Sequence, residues 1–165
     1  MTDHKIIDNF LSDNEFKRLS STVMGDNFPW FYQPNIERKH KSNSNDFTSY
    51  FTHTCYDKNK INSQLFYEFG TLIELLEIKA LIRLKVNCYP NTNNLDIHQS
   101  HVDYPYSHKG CILYFNTCNG YTILEDGTKI ESIANRVLLF DPSLPHQSTN
   151  ATFTKARFNV NINYF

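Results

Sequence analysis

Apolar and polar side chains alternate along much of the chain after residue 79. A β-strand at 80–89 would place an apolar row on one face and a polar row on the other. The apolar row consists of Ile82, Leu84, Val86 and Cys88. The polar row consists of Arg83, Lys85, Asn87 and Tyr89. If the apolar row packs against helices, the polar row faces a barrel interior suited to a charged ligand.

Further strands are predicted where β-branched and aromatic residues cluster, at 110–116, 121–124, 128–130, 136–140 and 156–165. Asn119-Gly120 and Asp126-Gly127 predict turns with positive φ between some of them. Short strands at this spacing, with no helix between them, favour a jelly roll or a β-sandwich.

The N-terminal part has a helical period. Residues 4–11 predict a short edge strand that leads into a helix, and Ser12-Asp-Asn-Glu15 matches a capping box for a helix over about 13–24. A second helix is predicted after a cap at Asn62 or Ser63, because apolar residues recur there at i, i+3, i+4 and i+7. Its stripe is Leu65, Phe66, Phe69, Leu72, Ile73 and Leu76. We expect both helices to cover one face of the sheet.

Residues 25–45 lose this periodicity and predict a long loop or two ragged strands, followed by a strand at 47–56. Long loops inside a compact domain are often functional. Trp30, Phe31 and Tyr32 therefore either floor a substrate cleft or pack on the core.

Composition favours one folded domain. The chain has 165 residues, of which 40% are hydrophobic and 15% aromatic, so it can bury a substantial core. We expect a single domain over 1–165 that is mainly β with N-terminal helices (α+β). Its helical and lid part would cover about 1–78, and its jelly-roll core about 79–165.

The charge balance limits the partners. The formal net charge is −1, so we expect neither the basic surface of a nucleic-acid binder nor that of a protein bound to anionic membranes. The short basic run at 37–41 is interpreted as a solvated loop. No apolar run approaches the roughly 18 residues of a membrane span.

Cysteine usage indicates a reducing compartment. Cys55, Cys88, Cys111 and Cys118 show no CxxC spacing, and no secretory leader precedes the polar start of the chain. We expect reduced thiols in a cytoplasmic protein, which would be the host cytoplasm if a virus encodes it.

The candidate chemistry centres on His101-Val-Asp103. Two residues apart on a strand, an imidazole and a carboxylate share one face and can hold a metal ion, but they need a third ligand. The best candidate is His146, which follows Asp103 by 43 residues, and Arg157 lies 11 residues further on. Two imidazoles and one carboxylate form the ligand set expected of non-heme Fe(II) oxygenases.

Several motifs occur in an order that resembles a known family. They are Val86-Asn-Cys-Tyr-Pro90, His101-Val-Asp103, Ile112-Leu-Tyr-Phe-Asn116, Gly120, Leu139-Phe140, His146 and Arg157 through Tyr164-Phe165. Residues from about 79 to 165 resemble the double-stranded β-helix core of the Fe(II)- and 2-oxoglutarate-dependent dioxygenases. The most similar subgroup is prolyl-4-hydroxylase-like, of the phage and bacterial type, and Phe28-Pro-Trp-Phe-Tyr32 is similar to a segment of its phage members.

The resemblance implies a role for each matching residue. The catalytic metal ligands would be His101, Asp103 and His146, which leave open positions for 2-oxoglutarate and O₂. Arg157 would clamp the distal carboxylate of 2-oxoglutarate with its guanidinium fork. The remaining residues implied at the cosubstrate are Tyr114, Tyr89, Asn87 and Asn161.

The resemblance also implies the reaction, which is hydroxylation of an unactivated C–H bond coupled to decarboxylation of 2-oxoglutarate. It favours a prolyl or other peptidyl or amino-acid substrate. Two alternatives stay open: a cupin-like metal enzyme that uses no 2-oxoglutarate, and a jelly-roll binding module without catalysis.

Several polar residues keep more than one interpretation. Asn87, Tyr114 and Asn161 could also be ordinary sheet residues. Among the other polar residues, His98 is expected to point away on a regular strand, although His98, His53 and Asp96 could instead orient a ligand near the cleft.

Overall fold

The computed structural model describes residues 3–34 and 49–165. Most of the predicted loop, including the basic run at 37–41, lies outside these residues. The helices are α1 (Asp13–Val23), a 3₁₀ helix (Gln64–Phe69) and α2 (Gly70–Leu75). The strands are β1 (Lys5–Ile7), β2 (Phe31–Gln33), β3 (Tyr50–Asp57), β4 (Lys60–Ile61), β5 (Leu81–Pro90), β6 (Lys109–Tyr114), β7 (Tyr121–Ile123), β8 (Lys129–Glu131), β9 (Val137–Phe140), β10 (Gln147–Ser148) and β11 (Ala156–Tyr164).

The strands form two antiparallel sheets. The larger has the order β1-β9-β6-β11-β5-β3-β2, with β4 added beside β3, and the smaller has the order β10-β7-β8. Neighbours that are distant in sequence, such as β5 and β11, pair over nearly their whole length. The described chain is therefore α+β with a jelly-roll core, as predicted.

The helices cover one face of the larger sheet. Leu19 and Val23 of α1 and Leu72 of α2 belong to one buried cluster with sheet residues such as Val86 and Val160. A smaller cluster fills part of the space between the two sheets and contains Ile112, Tyr114, Leu124, Ile130, Leu138 and Phe140. The region between the sheets also holds the polar face of β5, because successive strand residues point to opposite sides.

The second predicted helix is present, but its first half, capped by Ser63, is a 3₁₀ helix, and an α-helix follows from Gly70. The expectation for Gly120 was wrong. Gly120 does not adopt a positive φ, whereas Gly127 does, at 83°. Gly120 is instead needed for close packing, since a Cβ there would collide with the backbone oxygen of Asn150 and would lie 2.6 Å from Arg157 Cδ.

The aromatic segment 28–32 is divided between core and surface. Trp30 packs against Phe28 and Phe158, with ring centroids 4.6 and 5.9 Å away. Phe31 and Tyr32 are mostly exposed on β2, a strand at one end of the larger sheet. The core alternative thus fits Trp30, whereas its two neighbours remain available at the surface.

All four cysteines are free thiols. Burial raises the pKa of Cys55 and of Cys88 to about 12, so neither is a reactive thiolate near neutral pH. Within residues 3–34 and 49–165, no helix has the length and apolarity needed to cross a lipid bilayer.

Candidate metal centre

Three predicted ligands meet between the sheets. The possible ligand atoms of His101, Asp103 and His146 all lie within 4.8 Å of one another. The two histidines face each other across an isolated antiparallel bridge, in which His101 N donates to His146 O and His146 N donates to His101 O. These reciprocal bonds fix the distance between two segments that are 45 residues apart in sequence (146−101).

Backbone contacts determine which nitrogen of each ring is available. His146 Nδ1 lies 3.0 Å from the carbonyl oxygen of Leu144, and His101 Nδ1 lies 3.4 Å from that of Gln99. A carbonyl oxygen only accepts hydrogen bonds, so these contacts favour a proton on Nδ1 in both rings. The Nε2 lone pairs are then free to bind a metal ion. Burial and the neighbouring His146 lower the pKa of His101 to about 4, so this ligand is neutral at physiological pH.

Two amide donors and one positive charge hold Asp103 in place. Its Oδ2 accepts hydrogen bonds from Asn161 Nδ2 at 3.1 Å and from Asn163 Nδ2 at 2.9 Å. Its Oδ1 lies 2.8 Å from Arg83 Nη2 and 3.9 Å from His101 Nε2. Burial by itself raises the pKa of this carboxyl, but the positive charges of Arg83 and Lys85 and the hydrogen bond from Asn163 outweigh that effect and hold the pKa well below its usual range. The group is therefore an anion near neutral pH.

A buried guanidinium lies in the same interior. Arg157 is 0% exposed, and it donates from Nη1 to Thr149 O at 2.9 Å and from Nη2 to Thr122 Oγ1 at 3.0 Å. Its Nε has no hydrogen-bond partner, and no carboxylate among the described residues forms an ion pair with it. The rings of Tyr89 and Tyr114 lie 5.6 and 5.4 Å from its Cζ. A buried cation without an anion is costly, so the pocket is suited to a negatively charged ligand.

The three candidate ligands and the guanidinium open to one cavity. Its lining consists of Lys85, Asn87, Tyr89, His101, Asp103, Ile112, Thr122, His146, Gln147, Ser148, Arg157, Asn159 and Asn161. The candidate metal position and Arg157 therefore face the same space.

The other residues predicted at the cosubstrate fall into three places. Asn87 and Tyr89 line the cavity, and Asn87 Nδ2 donates to Asn159 Oδ1. Asn161 also lines it, but its amide contacts Asp103 rather than the guanidinium. Tyr114 lies below the lining, where its hydroxyl bonds to Thr122 Oγ1. A direct bond from Tyr114 to a ligand stays a prediction, since Thr122 lies on the lining above it.

His98 was expected to point away only on a regular strand, and that condition is not met. Residues 95–100 form only an isolated bridge, from Ile97 to Thr149, so strand alternation does not apply to them. His98 is buried, with Nδ1 2.7 Å from Ser148 Oγ and its ring 5.2 Å from that of Tyr89. It thus supports one wall of the cavity. His53 contacts Pro29 O instead, away from the cavity lining.

Sequence reasoning gave no individual role to Asn159, Asn163, Arg83 or Thr122, although it placed Arg83 in the inward polar row of its strand. Asn159 and Asn163 lie on the inward face of β11 with Asn161, and Arg83 lies on the inward face of β5. The alternation of asparagine with Val160 and Ile162 could have identified the first two. Thr122, the fourth, gave no signal because a threonine in a predicted strand is ordinary.

Neither a scan of protein-family models nor a comparison with curated proteins gives a match. Solved structures do match. A prolyl hydroxylase from Trichoplax adhaerens, in complex with a hypoxia inducible factor peptide, has a TM-score of 0.71 at 17% identity, covering 100% of this chain and 84% of that one. A prolyl-4-hydroxylase from Pseudomonas putida has a TM-score of 0.64 at 14% identity, covering 99% of this chain and 93% of that one.

A third similar structure has a different activity. The non-heme alpha ketoglutarate dependent epimerase SnoN from nogalamycin biosynthesis has a TM-score of 0.69 at 11% identity, covering 99% of this chain and 78% of that one. At such identities the likeness concerns the fold. The chain has the double-stranded β-helix fold of the 2-oxoglutarate- and Fe(II)-dependent oxygenases, including the prolyl hydroxylases.

Proposed function

We propose that this protein is an Fe(II)- and 2-oxoglutarate-dependent oxygenase. One observation carries the proposal: a cluster of two imidazoles and a carboxylate shares a cavity with a buried guanidinium that has no counter-charge among the described residues. The cluster has the donor set of a facial Fe(II) site. The guanidinium suits a ligand that chelates the metal at one end and carries a carboxylate at the other.

Each residue then has a definite task. His101, Asp103 and His146 would hold Fe(II) from one side, and Arg157 would bind the distal carboxylate of 2-oxoglutarate. Bound Fe(II), with 2-oxoglutarate and O₂, supplies the oxidation of an unactivated C–H bond and yields succinate and CO₂. Tyr89 lines the same cavity, with its ring 5.6 Å from Arg157 Cζ, and would contact the cosubstrate there.

The two alternatives explain less of the interior. A cupin-like metal enzyme without 2-oxoglutarate would use the three ligands but would leave Arg157 buried and unpaired at a substantial cost. A non-catalytic jelly-roll binding module would account for neither feature.

For the substrate, we propose a peptidyl or amino-acid group, with proline as the first candidate. A cavity of about 440 Å³ lies beside Tyr104, the residue after Asp103, and is also lined by Tyr106 and Phe165. Stacked aromatic rings form part of its wall, with Tyr104 to Tyr106 at 5.5 Å and Tyr106 to Phe165 at 6.1 Å. Such a wall can bind an organic group. The matching Trichoplax enzyme binds a peptide, whereas SnoN is an epimerase, so the substrate is decided by assay.

The site is proposed to need both parts of the chain. β1 from the N-terminal part pairs with β9 of the jelly-roll core, and α1 packs in the same buried cluster as β5 and β11. This pairing supports one working domain over residues 1–165.

The test is an anaerobic titration with Fe(II) and 2-oxoglutarate, monitored by visible absorption. We expect a charge-transfer band of the chelate that requires both additions and is lost in His146→Ala. Arg136→Gln removes a surface guanidinium paired with Asp8 and serves as the matched control that keeps the band. A band from Fe(II) alone would favour the cupin-like alternative, and no metal binding at all would favour a binding module. Succinate formation in air then shows turnover before the substrate is known.

A further inference from the structure

Arg83 shares one carboxylate oxygen with the proposed metal position. Its Nη2 lies 2.8 Å from Asp103 Oδ1, which is also the oxygen 3.9 Å from His101 Nε2. The side chains of Arg83 and Asp103 are 16% and 5% exposed, so water screens this pair poorly. Any cation held between His101 and Asp103 therefore faces a fixed positive charge across the same oxygen.

Charge holds Arg83 here more than hydrogen bonding does. Its Nε and Nη2 have no hydrogen-bond partner despite the short distance to Asp103. The ring of Tyr104, whose centroid lies 5.4 Å from Arg83 Cζ, covers the guanidinium. A buried carboxylate needs a compensating cation, and in the metal-free protein Arg83 supplies it.

Two neutral donors orient the same carboxylate without charge. Asn161 and Asn163, both on β11, each donate a hydrogen bond to Asp103 Oδ2. Asn163 is itself fixed by a contact of 3.1 Å between its Nδ2 and His108 Nε2. Asp103 can therefore keep its orientation when a neutral residue replaces Arg83, provided that another cation supplies the lost positive charge.

We propose that Arg83 is a positioning residue that competes with a metal ion for Asp103: it stabilises the ionised carboxylate when no metal is bound and thereby weakens divalent metal binding. This inference rests on the proposed function, because it assumes that Asp103 is a metal ligand. Removing Arg83 destabilises the metal-free state more than the metal-bound state, since a bound dication compensates Asp103 and is repelled by the guanidinium. Metal affinity then increases.

The experiment measures Co(II) binding to the full chain by calorimetry and by its visible spectrum, together with thermal unfolding with and without Co(II). The test variant is Arg83→Gln. Arg83→Lys keeps the charge, Arg136→Gln removes an arginine from a surface ion pair, and His146→Ala removes a proposed ligand. We expect Arg83→Gln to bind Co(II) at least tenfold more tightly than the wild type and to gain more thermal stability from it. Arg83→Lys and Arg136→Gln should stay within about threefold of the wild-type affinity.

Each outcome decides between the two hypotheses. If the wild type binds one Co(II) that His146→Ala loses, the proposed metal site stands whatever Arg83 does. Unchanged or weaker binding by Arg83→Gln then overturns the inference, as does equal tightening in Arg83→Lys. An Arg83→Gln protein that folds only with Co(II) supports it, and one that stays unfolded with Co(II) contradicts it. A wild type without a site sensitive to His146→Ala refutes the proposed function first.

Discussion

Replacing Arg157 by methionine tests the cosubstrate pocket most directly. Arg157 is 0% exposed, and no ion-pair partner for it exists among the described residues. Its two donated hydrogen bonds go to a backbone carbonyl and to the Thr122 hydroxyl, neither of which carries a charge. The proposed carboxylate of 2-oxoglutarate is thus the anion that the buried cation lacks.

The size of the effect follows from this burial. Removing one partner of a buried, hydrogen-bonded charge pair costs about 3–5 kcal/mol. The lower part of that range, about 3–4 kcal/mol, corresponds to a Kd for 2-oxoglutarate raised about 10²–10³-fold. The ligand-free protein loses two hydrogen bonds but also an uncompensated buried charge, so we expect its melting temperature to change little.

The assay is the anaerobic 2-oxoglutarate titration at saturating Fe(II), with metal affinity measured separately. Arg157→Met should keep its Fe(II) affinity while losing 2-oxoglutarate affinity, and Arg157→Lys should fall between because an ammonium lacks the planar fork. Arg136→Gln controls for general loss of positive charge. A folded Arg157→Met protein whose 2-oxoglutarate Kd lies within threefold of the wild type would refute the assignment of this pocket.

Three further changes test the surroundings of the site. Gly120→Ala places a Cβ 2.6 Å from Arg157 Cδ, so a lower melting temperature and weaker 2-oxoglutarate binding are expected, and normal values for both would contradict this packing. Burial, with Arg157 and His101 nearby, lowers the pKa of His98 to about 3, so the unfolded state takes up the proton first as the pH falls. Through this residue, the metal-free protein should lose up to about 1.4 kcal/mol of unfolding free energy per pH unit as the pH falls from about 6.5 to 3. In His98→Gln, the unfolding free energy measured by urea denaturation at several pH values should fall less steeply with decreasing pH. The double change Asn87→Leu with Asn159→Leu replaces a buried amide pair by apolar groups and should raise the melting temperature while impairing 2-oxoglutarate binding, whereas a gain in stability with normal binding would show that the pair has no role in the site.

Alternation explains why much of the interior could be predicted from the sequence. On β5 the polar set that includes Asn87 and Tyr89 was expected to face a ligand, and both residues line the cavity. The same rule applied to β11 would have placed Asn159 and Asn163 inside with Arg157 and Asn161. Strand pairing fixes these positions, since the register of β5 against β11 sets Arg157 opposite Tyr89 and Asn159 opposite Asn87.

Contacts between irregular segments could not be predicted in this way. His98 lies in a stretch with one isolated bridge, so its direction depends on packing against Ser148 rather than on a two-residue period. Gly120 is required by the close approach of the Asn150 backbone oxygen and of the Arg157 side chain, which follow it by 30 and 37 residues (150−120 and 157−120). The ion pair of Arg83 with Asp103 likewise joins two segments that only the folded chain brings together.

The inward row of β11 links stability to function. Arg157, Asn159, Asn161 and Asn163 are all at least 92% buried, in a strand where apolar residues would pack at lower cost. The amide oxygens of Asn161 and Asn163 have no hydrogen-bond partner, although both amide nitrogens bind Asp103. A jelly roll gains no stability from such a row unless ligands complete it. Near Asp103, the row supplies donors that surround an anion. At Arg157, it supplies a cation that has no anionic partner among the described residues. That polarity is what a cation and a ligand with a distant carboxylate would satisfy together, and it is the physical reason to assign both to one cavity.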